Sequence, residues 1–425
     1  MTVWYCCHPR SSWEATIGRR IRIPETSTRL KLKHRSGERI NRTRCEGKPR
    51  RSPGMASWTA LPLELLIHIL RFALPPRLSF HAEHVPFEDN HTSLCTNNDR
   101  LSFSLVSRYW NSIVKSLGID SISLTGNTDA EALLSYLLDD GRGVYVRRVV
   151  LPFSRTVRST IKGTIEILAT CPRIETLIRP ERQDDGFRWN FRAACPRFNS
   201  LTRLEWWHYS DAHRSGGINL FYDVFDNAPN LEYLAIGGQW NPDTLTSRRI
   251  RKAHLPHLET LRLRRLSTSF IREIQKWSLP SLFHVISEFG LDGTEERFRS
   301  QIRTLESVAD MRFYNEDRIG DSLTWCPNLE ELHYYVLFTC VPQSRVLASG
   351  TIKTIGLHAR RNPMWTPADL VGHLKRHLEF VTGPGFPSLH TLALYGDWDG
   401  LAEMPLLESL IPSGRITIQR MLYTP

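Results

Sequence analysis

Four histidines stand at spacings that could do chemistry. His81-Ala-Glu-His84 has the spacing of a metal-ligand pair, because imidazole nitrogens are common zinc ligands. It lies in a polar stretch with no third ligand in evident register, so it reads as a solvated loop. His373-Leu-Lys-Arg-His377 sets two imidazoles four residues apart, hence on one face of a helix. Lys375 stands between them where a metalloprotease would want an acid, so this pair reads as a polar helix face. Cys340 has no neighbour that would activate a thiolate. No Walker loop, G-x-G-x-x-G, G-x-S-x-G or H-E-x-x-H occurs. The residues therefore point to no catalytic site, metal or cofactor, and a hydrolase or transferase at the rim of the fold would lack a nucleophile–base motif.

Recognition by surface is the chemistry that remains. Units of the form L-x-x-L-x-L recur after a small residue and a proline. Their leucines should point into a core while the residues between and after them face the other way, because strand side chains alternate. That alternation assigns Arg148, Arg203, Glu205, Trp207, Tyr233, Arg262, Arg264, Glu331, His333, Tyr335, His358 and Tyr395 to one concave sheet. Aromatic and arginine side chains dominate binding hot spots. Arg203, Glu205, Trp207, Tyr233, Arg262, Arg264, His333, Tyr335 and Tyr395 are the candidate contacts to a target protein. Lys375 and Arg376 fall on the outer, helical side.

The elements that must hold these residues follow from the repeats. Cys171-Pro-Arg-Ile-Glu-Thr-Leu-Ile178, Ala228-Pro-Asn-Leu-Glu-Tyr-Leu-Ala-Ile236, Leu255-Pro-His-Leu-Glu-Thr-Leu-Arg-Leu263, Cys326-Pro-Asn-Leu-Glu-Glu-Leu332 and Phe386-Pro-Ser-Leu-His-Thr-Leu-Ala-Leu394 are successive copies. Their prolines, with Pro196 and Pro280, mark a period of a few tens of residues. Leu305–Phe313 and Thr351–Leu357 fill the longer gaps, and Ile119–Leu124 and Val144–Leu151 supply earlier strands. Helical patterns lie between. Thr128-Asp-Ala-Glu131 is a capping box, and Thr366-Pro367 opens a helix through Leu378. A strand–helix unit buries one face only against its neighbours, so the units must stack into a solenoid.

Two apolar segments precede the repeats. Leu61–Leu74 starts with Pro62 and Glu64 in a first helical turn and stops before Pro75-Pro76. Leu101–Val114 carries Leu101, Leu105, Val106, Trp110, Ile113 and Val114 at helical spacing. Asn98 or Asp99 can cap it, and Gly118 suits its C-terminal end. Two short helices this apolar need a partner or the next domain to cover them. Leu61-Pro62-x-Glu64-Leu65-Leu66-x-x-Ile69 followed by Leu105-Val106-Ser107-Arg108-x-Trp110 resembles an F-box, the helical module that docks on the Skp adaptor of SCF-type ubiquitin ligases. The sequence departs from that pattern in the polar insert Ser79–Thr96 between the halves. The resemblance implies adaptor contacts through Leu61, Pro62, Leu65, Leu66, Ile69, Leu105, Val106 and Trp110. Residues 119–425 resemble the irregular leucine-rich-repeat solenoids found after F-boxes in fungal proteins, without the asparagine ladder of regular repeats.

Charge and composition narrow the classes. Residues 1–54 hold 14 Lys and Arg against 4 acids, and the remainder holds 41 against 40. The net charge of +11 is therefore a property of the N-terminal segment, and nucleic acid is not an expected partner of the folded part. That segment lacks periodicity and is expected to be disordered; a start at Met55 would leave a compact chain. No apolar run is long enough to span a membrane, and no secretory signal is evident. The eight scattered cysteines form no C-x-x-C pair and read as reduced thiols of a cytoplasmic or nuclear protein.

The expected architecture is α/β: a basic extension (1–54), an F-box-like helical unit with an inserted loop around 79–96 (55–118), and a leucine-rich-repeat-like solenoid on a mainly parallel sheet (119–425). The resemblance implies a substrate-recognition subunit of an SCF-type ubiquitin ligase. It would join the Skp adaptor, and through it a cullin, to an unknown target protein. The alternative is a repeat scaffold that binds a protein without ubiquitin transfer.

Overall fold

The structure, a computed structural model, describes residues 62–73, 84, 86–87, 97–116, 121–124, 128–151, 160–179, 196–208, 224–238, 253–266, 268–288, 296–308, 317–341, 348–360, 366–396, 398, 409, 411 and 414–421. The basic extension, Leu61, His81 and Cys195 lie outside them. The chain from Leu61 to Pro425 forms one compact unit.

Among the described residues, twelve strands make a single sheet in which chain order is spatial order. They are β1 (Ser121–Ser123), β2 (Arg148–Val150), β3 (Thr176–Arg179), β4 (Arg203–His208), β5 (Tyr233–Gly238), β6 (Thr260–Leu266), β7 (His284–Ser287), β8 (Thr304–Ser307), β9 (Glu331–Tyr335), β10 (Thr354–Ala359), β11 (Thr391–Gly396) and β12 (Thr417–Met421). Every pairing is parallel. A parallel neighbour requires a crossover, and here each crossover leads to the adjacent strand, which is what makes the array a solenoid. This is the leucine-rich-repeat-like α/β architecture expected from the sequence.

The leucines account for the register. Leu177, Leu204, Leu234, Leu261, Val285, Leu305, Leu332, Ile355 and Leu392 are successive Cα partners across nine strands, and all are buried. A slip of one residue in any strand would turn its leucines to the wrong face. The residue after four of the marker prolines adds a second tie. Asn230 donates to Asn199 O (2.8 Å), Ser281 to Pro256 O (2.6 Å), Asn328 to Ser300 O (2.9 Å) and Ser388 to Gly350 O (2.6 Å). These bonds run from one turn back to the preceding one. They do for this chain part of what an asparagine ladder does in regular repeats.

Crossover helices include α4 (Ala130–Leu138), α5 (Thr160–Thr170), α6 (Thr268–Ile274), α7 (Glu296–Arg299), α8 (Arg318–Trp325) and α9 (Pro367–Val381), the three described helices before β1 being α1 to α3. α9 begins as expected, with Thr366 Oγ1 accepting the Asp369 N–H at 3.3 Å and Pro367 in the first turn. The cap of α4 is Asp129 rather than Thr128, its carboxylate accepting the N–H groups of Glu131 and Ala132. One helical reading is corrected. His373 and His377 do share a face of α9, but that face is inside. His373 Nε2 lies 2.8 Å from Val336 O, and His377 Nδ1 lies 3.3 Å from the Tyr334 hydroxyl. Burial pushes the His377 imidazole down to about 3 and lowers that of His373. They are neutral core groups, while Lys375 and Arg376 are exposed as expected.

Of the repeat cysteines, Cys171 and Cys326 are core residues. Burial pushes the Cys171 thiol up to about 11 and that of Cys326 to about 12, which keeps both protonated and unreactive. Among the described residues no helix is long and apolar enough to cross a membrane.

Before the sheet come α1 (Leu63–Ala73), α2 (Asn97–Val106) and α3 (Arg108–Ser116). The single helix expected over Leu101–Val114 is two, broken at Ser107. The Ser107 hydroxyl accepts the Trp110 N–H at 3.1 Å, the bond an N-cap makes to the third residue of its helix. Leu66, Leu70, Ile113 and Val114 close a small separate core, with Ile67, Phe103 and Trp110 packed against it.

Candidate functional site

Opposite the leucine ladder the sheet presents rows of polar and aromatic side chains in strict register. One row runs Arg203, Tyr233, Thr260, His284, Thr304, Glu331. The next runs Glu205, Ala235, Arg262, Ile286, Glu306, His333, Gly356, Ala393. A third contains Trp207, Gly237 and Arg264, then Tyr335, His358 and Tyr395 further along. The candidate target-contact residues thus share one face, as alternation predicts.

That face is not an open surface. Arg203, Glu205, Tyr233, Arg262, His333, Tyr335 and Tyr395 are all buried, and only Trp207 and Arg264 are half-buried. On β4 to β6, Arg203 binds Glu205 through Nη2 (2.6 Å) and Nε (2.7 Å) and lies 4.3 Å over the Tyr233 ring. Burial raises the Tyr233 hydroxyl against the pull of Arg203 and Arg262. Trp207 lies across Gly237, where an added Cβ would come within 2.4 Å of its ring. Arg264 pairs with Glu288 at 3.2 Å and reaches to 5.9 Å from the Trp207 ring.

On β7 to β11 the cover comes from the insert between α1 and α2. Phe87 packs its ring against those of Tyr335 (4.8 Å), His358 (4.9 Å), Tyr395 (5.3 Å) and His333 (6.2 Å). Gly356 and Ala393 stand among these rings in the register. At Gly356 an added Cβ would lie 2.1 Å from His333 Nδ1 and 2.9 Å from the Tyr395 ring. The Phe87 N–H donates to Glu306 Oε2 at 3.2 Å. Glu306 Oε1 takes His284 Nε2 at 2.8 Å and meets His84 Nε2 as well. The reading of this insert as a solvated loop is therefore corrected for His84 and Phe87, which lie against the sheet.

The electrostatics of this seat turn on one carboxylate. Burial alone would raise Glu306, but the hydrogen bonds from His284 and His84 outweigh it and hold the group well below the usual carboxylate range. His284 is lowered chiefly by burial. Burial, with Arg360 nearby, lowers His358 to about 4, and burial raises the Tyr395 hydroxyl. The donor atoms of His84, His284 and Glu306 lie within 4.8 Å of one another, a set that could hold a divalent cation. The two imidazoles already face the carboxylate at hydrogen-bond distance.

A second surface belongs to the helices before the sheet. Leu65 (53% exposed), Ile69, Leu105 (76% exposed), Val106 and Tyr109 are bare apolar side chains on a unit whose own core is already closed. Residues 93–121 match the F-box domain. The chain carries an F-box domain. The matched part of the F-box spans α2 and α3, whereas the Leu61–Ile69 half of the motif precedes it. Among curated proteins, none matches the sequence. Two solved structures align with much of the chain. One is a leucine-rich-repeat-containing protein of Legionella pneumophila, at 13% identity over 70% of this chain and 92% of that one, with a TM-score of 0.38. The other is a Bacteroides fragilis protein, at 14% identity over 74% and 78%, with a TM-score of 0.36. The solenoid assignment stands on the strand order and register above.

Within the F-box the expected docking residues divide. Pro62, Leu65, Ile69, Leu105 and Val106 are exposed, and Trp110 is half-buried against the small core. Leu66 is fully buried and cannot touch an adaptor; its place is to pack α1 on α3. Sequence reasoning passed over Phe87, His284 and Glu306, and set His84 aside as part of a solvated loop. His284 and Glu306 occupy the same alternation positions as Thr260 and Arg262, so the register alone could have found them. For Phe87 the only signal was a large aromatic, one of two with Phe80, within a polar insert.

Proposed function

We propose that the chain is a substrate-recognition subunit of an SCF-type ubiquitin ligase. The F-box would dock on a Skp-type adaptor through Pro62, Leu65, Ile69, Leu105 and Val106, with a cullin recruited through that adaptor. The solenoid would hold a target protein on the sheet face that carries Trp207, Arg264, Tyr335 and Tyr395. Its contribution to ubiquitin transfer is proximity, with the chemistry done by other subunits. The observation that carries this reading is the bare apolar stripe on the F-box helices, beside a core that already accounts for Leu66, Leu70 and Ile113. The test is co-purification with a recombinant Skp-type adaptor and cullin. Changing Pro62 and Leu65 together to charged residues should abolish capture while the solenoid keeps its melting transition. Capture that survives the change would overturn the assignment of the docking surface. Adaptor binding without cullin assembly would leave the chain a scaffold.

A further inference from the structure

The seat of Phe87 combines three recognition elements. Four rings surround an aromatic side chain, and Gly356 and Ala393 leave the room it fills. Glu306, ionised and buried, takes a backbone N–H on one oxygen and faces an imidazole on the other. Nothing in this chemistry is peculiar to the segment that occupies it. A backbone N–H is common to every peptide, and a carboxylate receives any basic or imidazole side chain three residues before the aromatic.

The occupant is held out of its preferred conformation. Phe87 has φ of 70°, in the left-handed region that a bulky side chain rarely adopts. Such strain persists only where surrounding contacts impose it. The segment comes from between two F-box helices, 219 residues before Glu306 in sequence. Phe87 contributes its ring and its backbone N–H, and His84 its imidazole. A ligand that makes these contacts without the strain can displace them.

We propose that this seat is the target-recognition pocket, that it takes a protein segment bearing an aromatic side chain with a basic or imidazole side chain three residues before it, and that His84–Phe87 occupies it as a built-in ligand. The proposal rests on the target-binding reading of the sheet face and adds the class of segment bound and the contact that competes with it. A target gains the pocket by replacing the insert. The F-box insert thereby sets a threshold that weak ligands do not pass.

The probe is a fluorescein-labelled peptide of residues 82–89, Ala-Glu-His-Val-Pro-Phe-Glu-Asp, titrated by anisotropy into the full-length chain and into a full-length His84→Ala/Phe87→Ala variant. A tethered ligand competes at an effective concentration on the order of millimolar. The opened variant should therefore bind the peptide at least about tenfold more tightly than the intact chain. A peptide with alanine in place of its phenylalanine should bind the opened variant roughly thirtyfold more weakly. Equal binding to both chains, or indifference to the phenylalanine, overturns the proposal. If the double variant loses its cooperative melt, the single Phe87→Ala variant, which empties the ring seat, takes its place and the same comparison decides. Adaptor capture, measured in parallel, separates the two readings. Peptide binding without adaptor capture defeats only the ligase assignment, and capture with no gain in peptide binding defeats only this one.

Discussion

The Phe87 N–H donates to Glu306 Oε2 across 3.2 Å, joining an insert between two F-box helices to the eighth strand of the solenoid. It fixes the aromatic ring over Tyr335, His358 and Tyr395. It also gives the buried carboxylate a donor that the sheet itself does not supply. An unsatisfied oxygen there would cost about 1–3 kcal/mol, so Glu306 and the insert support each other. If the sheet face binds a target as proposed, that binding and the placement of His84 and Phe87 should be coupled.

The room for that ring depends on Gly356. Gly356→Ala places a methyl 2.1 Å from His333 Nδ1 and 2.9 Å from the Tyr395 ring, both in crowded surroundings. Overpacking of this kind costs about 1–3 kcal/mol. Gly350→Ala, where nothing lies within 4 Å of the added methyl, should change stability by less than about 0.5 kcal/mol. Denaturant unfolding of the two variants checks the contrast.

Acid should destabilise the chain through its inward histidines. Burial holds His377 down to about 3, with His373 and Arg376 acting in the same direction and the Tyr334 hydroxyl beside it. An imidazole in the unfolded chain titrates near 6.5. Between those values the unfolded state binds a proton that the folded state refuses, so stability falls as pH drops from about 6.5 towards 3. The ceiling for this one group is on the order of 5 kcal/mol. His377→Gln should flatten that limb of the stability curve, as read from melting temperatures between pH 7 and pH 4.

Within the F-box, exposure separates fold from function. Leu66→Ala empties a fully buried site and should cost about 2–5 kcal/mol, losing adaptor capture because the helices come apart. Leu105→Asp changes a side chain that is 76% exposed. It should leave helicity and melting unchanged and still abolish capture. Circular dichroism paired with a pull-down measures both, and unimpaired capture by the Leu105 variant would place the interface on another face.

The amino-acid sequence by itself determined which side of the sheet each strand residue takes. In a parallel array whose leucines recur as L-x-x-L-x-L, alternation leaves no freedom. Arg203, Tyr233, Arg262, His333, Tyr335 and Tyr395 fell on one face because Leu204, Leu234, Leu261, Leu332 and Leu392 had to fall on the other. Local chemistry also placed Thr366 at the start of α9 and set the F-box residues on helices. Only the tertiary structure decided whether that face is open. The contact of Phe87 and His84 with Glu306 joins positions 219 and 222 residues apart, and no periodicity carries information over that distance. A polar insert averages out as solvent-facing even when one ring within it is buried. The same limit hid the direction of His373 and His377, since helical spacing puts two residues on a common face without saying what that face meets.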